Sequence, residues 1–512
     1  MQSVTAINCE VSAPVLRVVF GGFLTWLFLH RRSVRGDYAT ATFLLAHFSL
    51  FLATYLGNND LFASIKSTLT LTIAYISSLV LCTLAYRFSP FHPLASYPGP
   101  RLWWVSSLWL TYVSYKGKRH LVLDDLHRIH GPFVRIAPNT LSINTLSANS
   151  IYSAQAHMEK SESYTAPGQI KAVSLFFKQK TEKLHNDRKK LWSAAFTGAA
   201  EIWSSEGELM KSDDPLRLVE GGKLATVLLD SVGQTPWLMD IIWHLPVGRS
   251  MVRLRDVAAT MMRNRIKSND NIQLRDLASF LLSSNPETGE RIPHSDLEIE
   301  AVVAMQGGSD NTSTTMALAF YFMLANPTYY AMLQEELDNA FPDRAGDLDP
   351  TKLSLLPFLN AILQEALRLG SPFFLPRIVP AEGATIEGKY IPGGTIVALA
   401  AYSQQTSPEN YWPDPLNFHP QRWLPGGLGP GSRTERTALF SFSSGPHICV
   451  AKAFAYQEMR LVVARLVLNY AIKFAKGFDI EAYREGILNM RTTILKRPLL
   501  VKATRRSTAN LA

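Results

Sequence analysis

The segment Phe442-Ser443-Ser444-Gly445-Pro446-His447-Ile448-Cys449 decides the fold class of this 512-residue chain. It places a cysteine directly after a loop that contains glycine and proline, where a helical pattern begins. Unpaired amides and the positive end of a helix dipole favour a thiolate at such a position, and a thiolate is the ionised form that ligates a metal. A lone cysteine is more often an inert core residue, so the segment needs support from elsewhere in the chain.

A carboxylate and two arginines upstream supply that support. Glu365 and Arg368 are three positions apart on one face of a predicted helix, and Arg422 lies in a proline-framed loop at 415–423. A glutamate between two arginines forms a structural ion-pair network, which holds a loop in register and takes no part in chemistry. The order Glu365, Arg368, Arg422, Cys449 is far more specific than any of its parts.

Long helical patterns dominate from about residue 120 onward. The clearest helix is predicted to begin at the capping box Ser295-Asp296-Leu297-Glu298 and to run about thirty residues, to Asn326-Pro327. Further helices are predicted at 355–369 and from Cys449 onward, and short strands at 133–136, 385–390 and 395–398. The predicted fold class is mainly α with a minor β-sheet.

With these segments in this order, residues 90–500 resemble the cytochrome P-450 family. The segments that carry the resemblance are 307–310, 365–368, 418–423 and 442–451. The resemblance implies the cytochrome P-450 fold and a haem whose iron takes Cys449 as its thiolate ligand. Among family members, the chain is most similar to membrane-bound enzymes of filamentous fungi that tailor secondary metabolites.

The resemblance also implies which residues hold the haem. The implied cofactor-binding residues are Cys449, Arg377, His447, Lys189, Arg188, Phe442 and Gly445. Arg377 matches the family's propionate-binding arginine, and either Lys189 or Arg188 matches the cation of an early haem-contacting helix. His447 stands where the family usually has arginine, so we expect a weaker and titratable propionate contact.

The long helix departs from the family pattern at its catalytic positions. The family has an acid followed by a threonine that takes part in oxygen activation, whereas here Asp310 is followed by Asn311. Thr312 is displaced by about 100° around the helix. We therefore expect proton delivery through Asp310 and water, or a reaction other than ordinary hydroxylation. The same alignment predicts an apolar substrate pocket lined by Met305, Gly308, Phe373 and Phe374.

The first ninety residues predict a membrane anchor. Apolar stretches at 13–29, 38–56 and 69–84 each approach the ~20 residues that a spanning helix needs. The first stretch contains Arg17, so an interfacial or signal-like helix stays open and the anchor has two to three spans. Basic residues between the first two stretches place that loop in the cytosol by the positive-inside rule. The expected division is an anchor at 1–88, a proline-rich hinge at 89–101 and a catalytic domain at 102–512.

Composition and charge restrict the remaining possibilities. Only 18% of residues are charged, against the usual ~25%, which agrees with a lipid-embedded part. The net charge of +9 fits an anionic membrane surface or an acidic partner protein. The sequence contains no basic stripe of the kind that would indicate nucleic-acid binding. Cys9, Cys82 and Cys449 lie too far apart for a clustered zinc site.

Three functions follow as expectations. The first is a monooxygenase that uses dioxygen and electrons from an NADPH-dependent reductase to oxidise a terpenoid, meroterpenoid or polyketide. The second is a desaturase or a ring-forming or rearranging enzyme, for which Asn311 is the only indication. The third is a non-catalytic haem-binding membrane protein. For the enzyme we expect a multi-pass protein of the endoplasmic reticulum with its catalytic domain in the cytosol, in contact with membrane lipid.

Overall fold

The computed structural model describes residues 13–30, 32, 34–165, 173–177, 182–197, 218–268, 276–284 and 289–506. Cys9 lies outside the described residues. The helices are α1 (Ala13–Leu29), α2 (Gly36–Asn58), α3 (Leu61–Phe88), α4 (Arg101–Val105), α5 (Leu108–Tyr115), α6 (Arg119–His130), α7 (Glu182–Thr197), α8 (Leu218–Ser231), α9 (Pro236–Ile242), α10 (Arg249–Lys267), α11 (Leu277–Leu282), α12 (His294–Ala325), α13 (Pro327–Ala340), α14 (Pro350–Leu355), α15 (Pro357–Gly370), α16 (Ala401–Gln405), α17 (Lys452–Asn469) and α18 (Ile480–Glu485).

The strands are short and secondary to the helices, as the sequence predicts. They are β1 (Phe133–Ala137), β2 (Thr140–Ile143), β3 (Glu159–Lys160), β4 (Arg377–Ile378), β5 (Ala384–Ile386), β6 (Lys389–Ile391), β7 (Ile396–Leu399), β8 (Tyr411–Trp412), β9 (Arg433–Thr434), β10 (Tyr470–Phe474), β11 (Ile487–Asn489), β12 (Thr493–Leu495) and β13 (Val501–Arg505). The largest sheet has the order β1-β2-β7-β4-β3, in which β2 and β7 are parallel and the other pairs antiparallel.

The anchor helices pack against one another. Ser78 of α3 donates to the carbonyl of Val19 in α1 at 2.7 Å, and Tyr75 donates to the hydroxyl of Thr25 at 2.9 Å. Two helices of the described chain, Gly36–Gly57 and α3, are long and apolar enough to cross a membrane. α1 is apolar but has only 17 residues, which matches the uncertainty about the first predicted span.

The proline-rich segment 89–101, expected to act as a hinge, is bound to the body of the molecule. The backbone N–H of Arg135 in β1 donates to the carbonyl of Pro98 at 2.7 Å. The hydroxyl of Tyr97 donates to the carbonyl of Tyr390 at 2.8 Å. The segment therefore leaves the anchor along a fixed path.

The long helix is present, but its predicted capping box is wrong. α12 begins at His294, and the N-cap residue Pro293 has no side chain that can accept a hydrogen bond. Ser295 therefore lies inside the first turn. Glu298 pairs with Arg263 of α10 at 2.8 Å, so its carboxylate serves a tertiary contact and does not reach back to the helix start.

Three further boundaries differ from the prediction. The helix expected at 355–369 is α15, which begins two residues later because Pro357 takes its first position. The run 385–390 is a hairpin, in which Glu387 and Gly388 take left-handed φ values of 49° and 72°. The helix expected from Cys449 begins at Lys452.

The main core lies between α12, α13, α15 and α17. Met323, Leu333, Leu363 and Val463, one from each helix, are completely buried in this cluster. The packing fixes α15 and α17 relative to the C-terminal part of α12. It thereby brings three distant segments of the sequence to one site.

Candidate functional site

The cysteine loop, residues 442–449, folds back on itself. The backbone N–H of Cys449 donates to the carbonyl of Phe442 at 2.9 Å. Gly445 has a left-handed φ of 65°, and a Cβ at this position would lie 1.9 Å from the carbonyl oxygen of Tyr152. The loop therefore needs glycine at position 445 both for its backbone conformation and for its close contact with the backbone of Tyr152.

The environment of Cys449 differs from the sequence expectation. The cysteine lies three residues before α17, so the helix does not begin at its sulfur. Part of the residue is accessible to solvent. The protein packed around its sulfur nevertheless removes most of the water there, and this desolvation raises the pKa of the thiol. The N–H of Ala451 and the charge of Lys452 oppose this effect only in part. The chain alone favours the thiol, and the thiolate requires the positive charge of a coordinated metal.

Glu365 is the centre of a buried ion network. Its carboxylate accepts from Arg368 at 2.7 and 2.8 Å, from Nε of Arg422 at 3.0 Å and from the indole N–H of Trp423 at 2.8 Å. None of the three charged side chains is exposed. Burial raises the pKa of Glu365, but its hydrogen bonds and the two guanidinium charges outweigh burial, so the pKa is lowered. The structure thus places the three predicted structural residues together.

This network is connected to the cysteine loop. Arg368 donates to the carbonyl of Gln405 at 2.7 Å, and the Gln405 amide donates to the carbonyl of Arg368 at 2.6 Å. The side-chain oxygen of Gln405 accepts from the N–H of Phe440 at 3.2 Å. Ser441 donates to the carbonyl of Leu367 at 3.1 Å. Phe440 and Ser441 immediately precede the loop, so the network fixes the point at which the loop begins.

A group of basic side chains lies on the other side of the loop. Lys189 of α7 donates to the carbonyl of Pro446 at 2.7 Å, and Nε2 of His185 lies 3.4 Å from the same oxygen. The rings of His185 and His447 are 4.3 Å apart. Burial and the neighbouring cations lower the pKa of His447 to about 2 and that of His185 to about 4.

Two more cations are buried behind these histidines. Arg377 in β4 is 2% exposed; it donates to the hydroxyl of Tyr164 at 3.4 Å, and its Nε has no partner among the described residues. Lys160 in β3 is 8% exposed and donates to the carbonyls of Leu175 and Phe176 at 2.8 Å each. Burial lowers the pKa of Lys160 well below its ordinary value.

The cation cluster, Lys160, Lys189 and Arg377, fits a ligand that carries carboxylates. Within the described ranges, none of its members forms an ion pair with a carboxylate of the protein. A cavity of about 190 Å³ borders Lys160, His185 and His447. Because burying cations without counter-charges is costly, the arrangement is suited to an anionic group that enters the cavity. The two propionates of a haem meet this requirement.

Arg188 has a different role from Lys189. Its guanidinium pairs with Asp296 at 3.0 Å and with Glu300 at 3.1 Å, and all three side chains are largely buried. Glu300 also accepts from the N–H of Leu175 at 3.1 Å. Of the two alternatives for the haem-contacting cation, this geometry favours Lys189, because Arg188 is already neutralised.

Sequence reasoning missed three residues of this region: Lys160, His185 and Glu300. His185 could have been found, because it is four positions before Lys189 and therefore on the same helix face. Nothing local marks Lys160 or Glu300. Their roles depend on contacts with the segment 173–177, which each approaches from a different element.

Two glycines open the middle of α12. A Cβ on Gly307 or Gly308 would meet nothing within 4 Å, so the helix surface is open there. Asn311 donates to the carbonyl of Gly307 at 3.2 Å, while its side-chain oxygen has no partner among the described residues. Thr312 is buried and donates to the carbonyl of Gly308 at 2.7 Å. Its hydroxyl proton is therefore used within the helix, as its displacement from the family position implies. Burial raises the pKa of Asp310.

The four predicted pocket residues come from two parts of the chain, the long helix α12 and the segment after α15. Met305 and Gly308 lie together on α12, and Met305 packs against the neighbouring helices. Phe374 belongs to the core, because the guanidinium of Arg119 lies 4.4 Å from its ring centre and its side chain is 4% exposed. Phe373 borders a small cavity of about 20 Å³ together with Arg119. Phe374 lines the same cavity, so the place of both phenylalanines in a substrate pocket stays a prediction.

Replacing Glu365 tests the buried network. We expect Glu365→Gln to lower the free energy of unfolding by about 3–5 kcal/mol, because it leaves two buried guanidinium groups without their counter-charge. Denaturant unfolding followed by tryptophan fluorescence measures the change. Glu409→Gln, an exposed site in a nearby loop, is the control. Equal effects of the two substitutions would contradict the central role of Glu365.

A pair of glycine substitutions separates strain from contact in the cysteine loop. Gly445 and Gly431 both have positive φ, but a Cβ on Gly431 would meet nothing within 4 Å. We expect Gly445→Ala to reduce the haem content of the purified protein severalfold, whereas Gly431→Ala leaves it unchanged. The measurement is haem absorbance per mole of protein. Loss of haem in both variants would show that left-handed strain alone accounts for the effect.

Comparisons with known proteins agree with this geometry. The family model described as cytochrome P-450 matches residues 229–497. Cytochrome P-450 67 of Uromyces fabae is 30% identical over 481 residues, which cover 81% of this chain and 87% of the relative. Cytochrome P-450 monooxygenase poxC of Penicillium oxalicum is 31% identical over 414 residues, covering 74% and 83%. The solved haem domain of cytochrome P-450DA has a TM-score of 0.61 at 16% identity, covering 77% of this chain and 94% of that chain.

These findings settle the family, the cofactor and the type of reaction. The family and fold are those of haem-thiolate enzymes with a cysteine-ligated iron, so the cofactor is haem bound through Cys449. The relatives named as monooxygenases make this chain a monooxygenase, and the non-catalytic alternative is not retained. The chain belongs to the cytochrome P-450 family.

Proposed function

We propose that the protein is a membrane-anchored monooxygenase that oxidises a bulky hydrophobic intermediate, a terpenoid, meroterpenoid or polyketide. The observation that carries the proposal is the cysteine loop held between the Glu365 network and the cation cluster. Cys449 would ligate the iron, while Lys189, Arg377 and His447 would hold the propionates. Phe442 and Gly445 would shape the loop around the sulfur.

The haem supplies oxygen activation, and the protein supplies binding, orientation and protons. Burial raises the pKa of Asp310, so its carboxyl group holds a proton more readily than that of an exposed aspartate. Asn311 offers an unpartnered side-chain oxygen beside the opening at Gly307 and Gly308. A water held by that oxygen would carry a proton from Asp310 in place of the hydroxyl that the family usually has. Thr312 would support the helix.

An apolar substrate agrees with the open surface of α12 beside Met305. The side chain of Met305 is surrounded by buried aliphatic and methionine side chains of α8, α9 and α10. Apolar walls with few polar groups favour hydrophobic ligands. The substrate would reach this region from the membrane, in which such compounds concentrate.

The electron donor would be an NADPH-dependent reductase with an acidic docking surface. Lys452 is exposed at the start of α17, three residues after Cys449, and the chain carries a net charge of +9. Complementary charge accelerates and orients such an encounter.

The anchor and domain arrangement are part of the same proposal. We place a three-helix anchor at 1–88, a connecting segment at 89–101 and the catalytic domain at 102–512. The protein would be a multi-pass protein of the endoplasmic reticulum, with the loop before α2 and the catalytic domain in the cytosol. The basic residues of that loop support this orientation.

A second candidate function is desaturation, ring formation or rearrangement. The observation that favours it is Asn311, since an amide cannot relay a proton as a hydroxyl can. In such a reaction the substrate would lose two hydrogen atoms, and both oxygen atoms of dioxygen would leave as water.

The first test is the reduced, carbon monoxide-bound absorption spectrum of microsomes. We expect the Soret band of a thiolate-ligated haem in the wild type and in Cys82→Ala, and its loss in Cys449→Ala. Product analysis with labelled dioxygen then separates the two functions. A product that contains the labelled oxygen supports the monooxygenase. An unlabelled product with a new double bond or ring supports the second function. A wild type without the Soret band would contradict the whole proposal.

Replacing Asn311 tests its role in proton delivery. We expect Asn311→Ala to raise the hydrogen peroxide released per NADPH by roughly 2- to 10-fold, the effect of one lost hydrogen bond. Asn311→Thr should restore coupling, and Ser313→Ala, on the exposed side of the same turn, is the control. An Asn311→Ala variant as tightly coupled as the wild type would remove Asn311 from the mechanism.

Glycosylation mapping tests the orientation. An N-glycosylation acceptor tag before Met1 should be modified in microsomes, whereas the same tag after Ala512 should not. The measurement is the shift in gel mobility after endoglycosidase treatment. An unmodified tag at both ends would mean that α1 does not span and that the anchor has two spans.

A further inference from the structure

The start of α2 touches the catalytic domain at a point far away in the sequence. We call this contact the latch; it consists of Arg35, Gly36 and Asp37 on the anchor and Trp237, Asp240 and His244 on the body. The backbone N–H of Gly36 donates to the carboxylate of Asp240 at 2.8 Å, across 204 residues. Nε2 of His244 lies 3.2 Å from the Asp37 carboxylate, which also pairs with Arg35 at 2.6 Å.

The latch is a close backbone contact. A Cβ on Gly36 would lie 1.9 Å from the carbonyl oxygen of Trp237, so only glycine fits at this position. Gly36 is buried although it is the first residue of the anchor helix α2. Within the described part of the chain, the anchor meets the body at the latch and around the end of α3, where Arg87 donates to the carbonyl of Val105.

The body side of the latch is the middle of a three-helix unit. We call α8, α9 and α10 the cover, because they lie over the open part of α12. Leu228, Met239 and Leu254, one from each helix, are buried in one cluster, and Met305 of α12 packs against it. Ala258 and Met262 of α10 also pack with α12. A displacement of α9 would therefore change the space beside Met305.

The surface beside the latch is suited to a membrane interface. Trp237, Leu245 and Val247 are 48, 47 and 43% exposed, close to the start of an apolar anchor helix. Tryptophan and aliphatic side chains are favoured where lipid headgroups meet the acyl chains. The polar contacts of the latch hold this face beside the start of α2.

We propose that the latch makes the membrane anchor a brace for the cover, so that the anchor restrains the opening through which ligands reach α12. The anchor is then more than a tether, since it sets how readily the active site opens toward the bilayer. The proposal rests on the proposed function only for the statement that substrate binds beside α12.

Four variants of the full chain in phospholipid nanodiscs test the proposal. Gly36→Ala introduces the clash with Trp237, and Asp240→Ala removes the acceptor. Gly57→Ala is the control on α2, since a Cβ there would meet nothing within 4 Å. Asp256→Ala is the control on α10, where an exposed aspartate pairs with its neighbour Arg255.

Two measurements are made on each variant. The first is hydrogen exchange of residues 218–268, and the second is the association rate of 1-phenylimidazole, followed by the shift of the haem absorption. We expect both to rise about 2- to 10-fold in Gly36→Ala and Asp240→Ala, the effect of one or two lost hydrogen bonds. Both controls should match the wild type.

The outcomes are distinguishable. Unchanged exchange in Asp240→Ala would overturn the latch, and raised exchange with an unchanged association rate would overturn the brace. If Gly36→Ala fails to fold, Asp240→Ala decides alone. A wild type without a thiolate-haem spectrum would remove the proposed function, while the exchange measurement would still decide whether the latch exists.

Discussion

A single buried carboxylate, Glu365, holds together the parts of the structure on which the haem site depends. Two guanidinium groups and an indole surround this carboxylate. Removing any of these partners would leave part of a buried charge without its hydrogen bond. Because Arg368 lies on the same helix as Glu365 whereas Arg422 and Trp423 lie in the loop at 415–423, the ion network joins the helix and the loop into one rigid arrangement. The cysteine loop begins where this arrangement ends, so the position of the sulfur is set by charges that never touch it.

The cation cluster on the opposite side of the cysteine loop differs from the Glu365 network in its charge balance. In the Glu365 network two arginines share one buried carboxylate, whereas no member of the cation cluster forms an ion pair with a carboxylate among the described residues. The first arrangement is a finished structural element, and the second needs a ligand. Arg188 and Lys189 illustrate the contrast, since neighbouring residues on one helix are divided between a satisfied ion pair and an unsatisfied site.

Sequence pattern predicted the cysteine loop, the Glu365 network and the long helix. Each of these depends on residues close together in the sequence or on motifs that follow one another in a fixed order. Sequence pattern failed where a distant partner decides the outcome. Glu298 turns to Arg263 and leaves the capping box unformed. The pKa of Cys449 depends on surrounding protein that the sequence does not show. Lys160 and the latch could not be found, since their partners are remote and carry no motif.

The repulsion within the cation cluster has a consequence for how the protein is maintained in a cell. Bringing Lys160, Lys189 and Arg377 together costs free energy in the chain without haem, and bound propionates recover it. Any ligand that binds only the folded state shifts the folding equilibrium toward that state. Newly made chains that outnumber the available haem would therefore unfold more often and be removed by quality control. The abundance of this enzyme is expected to follow the supply of haem as well as the rate of its synthesis.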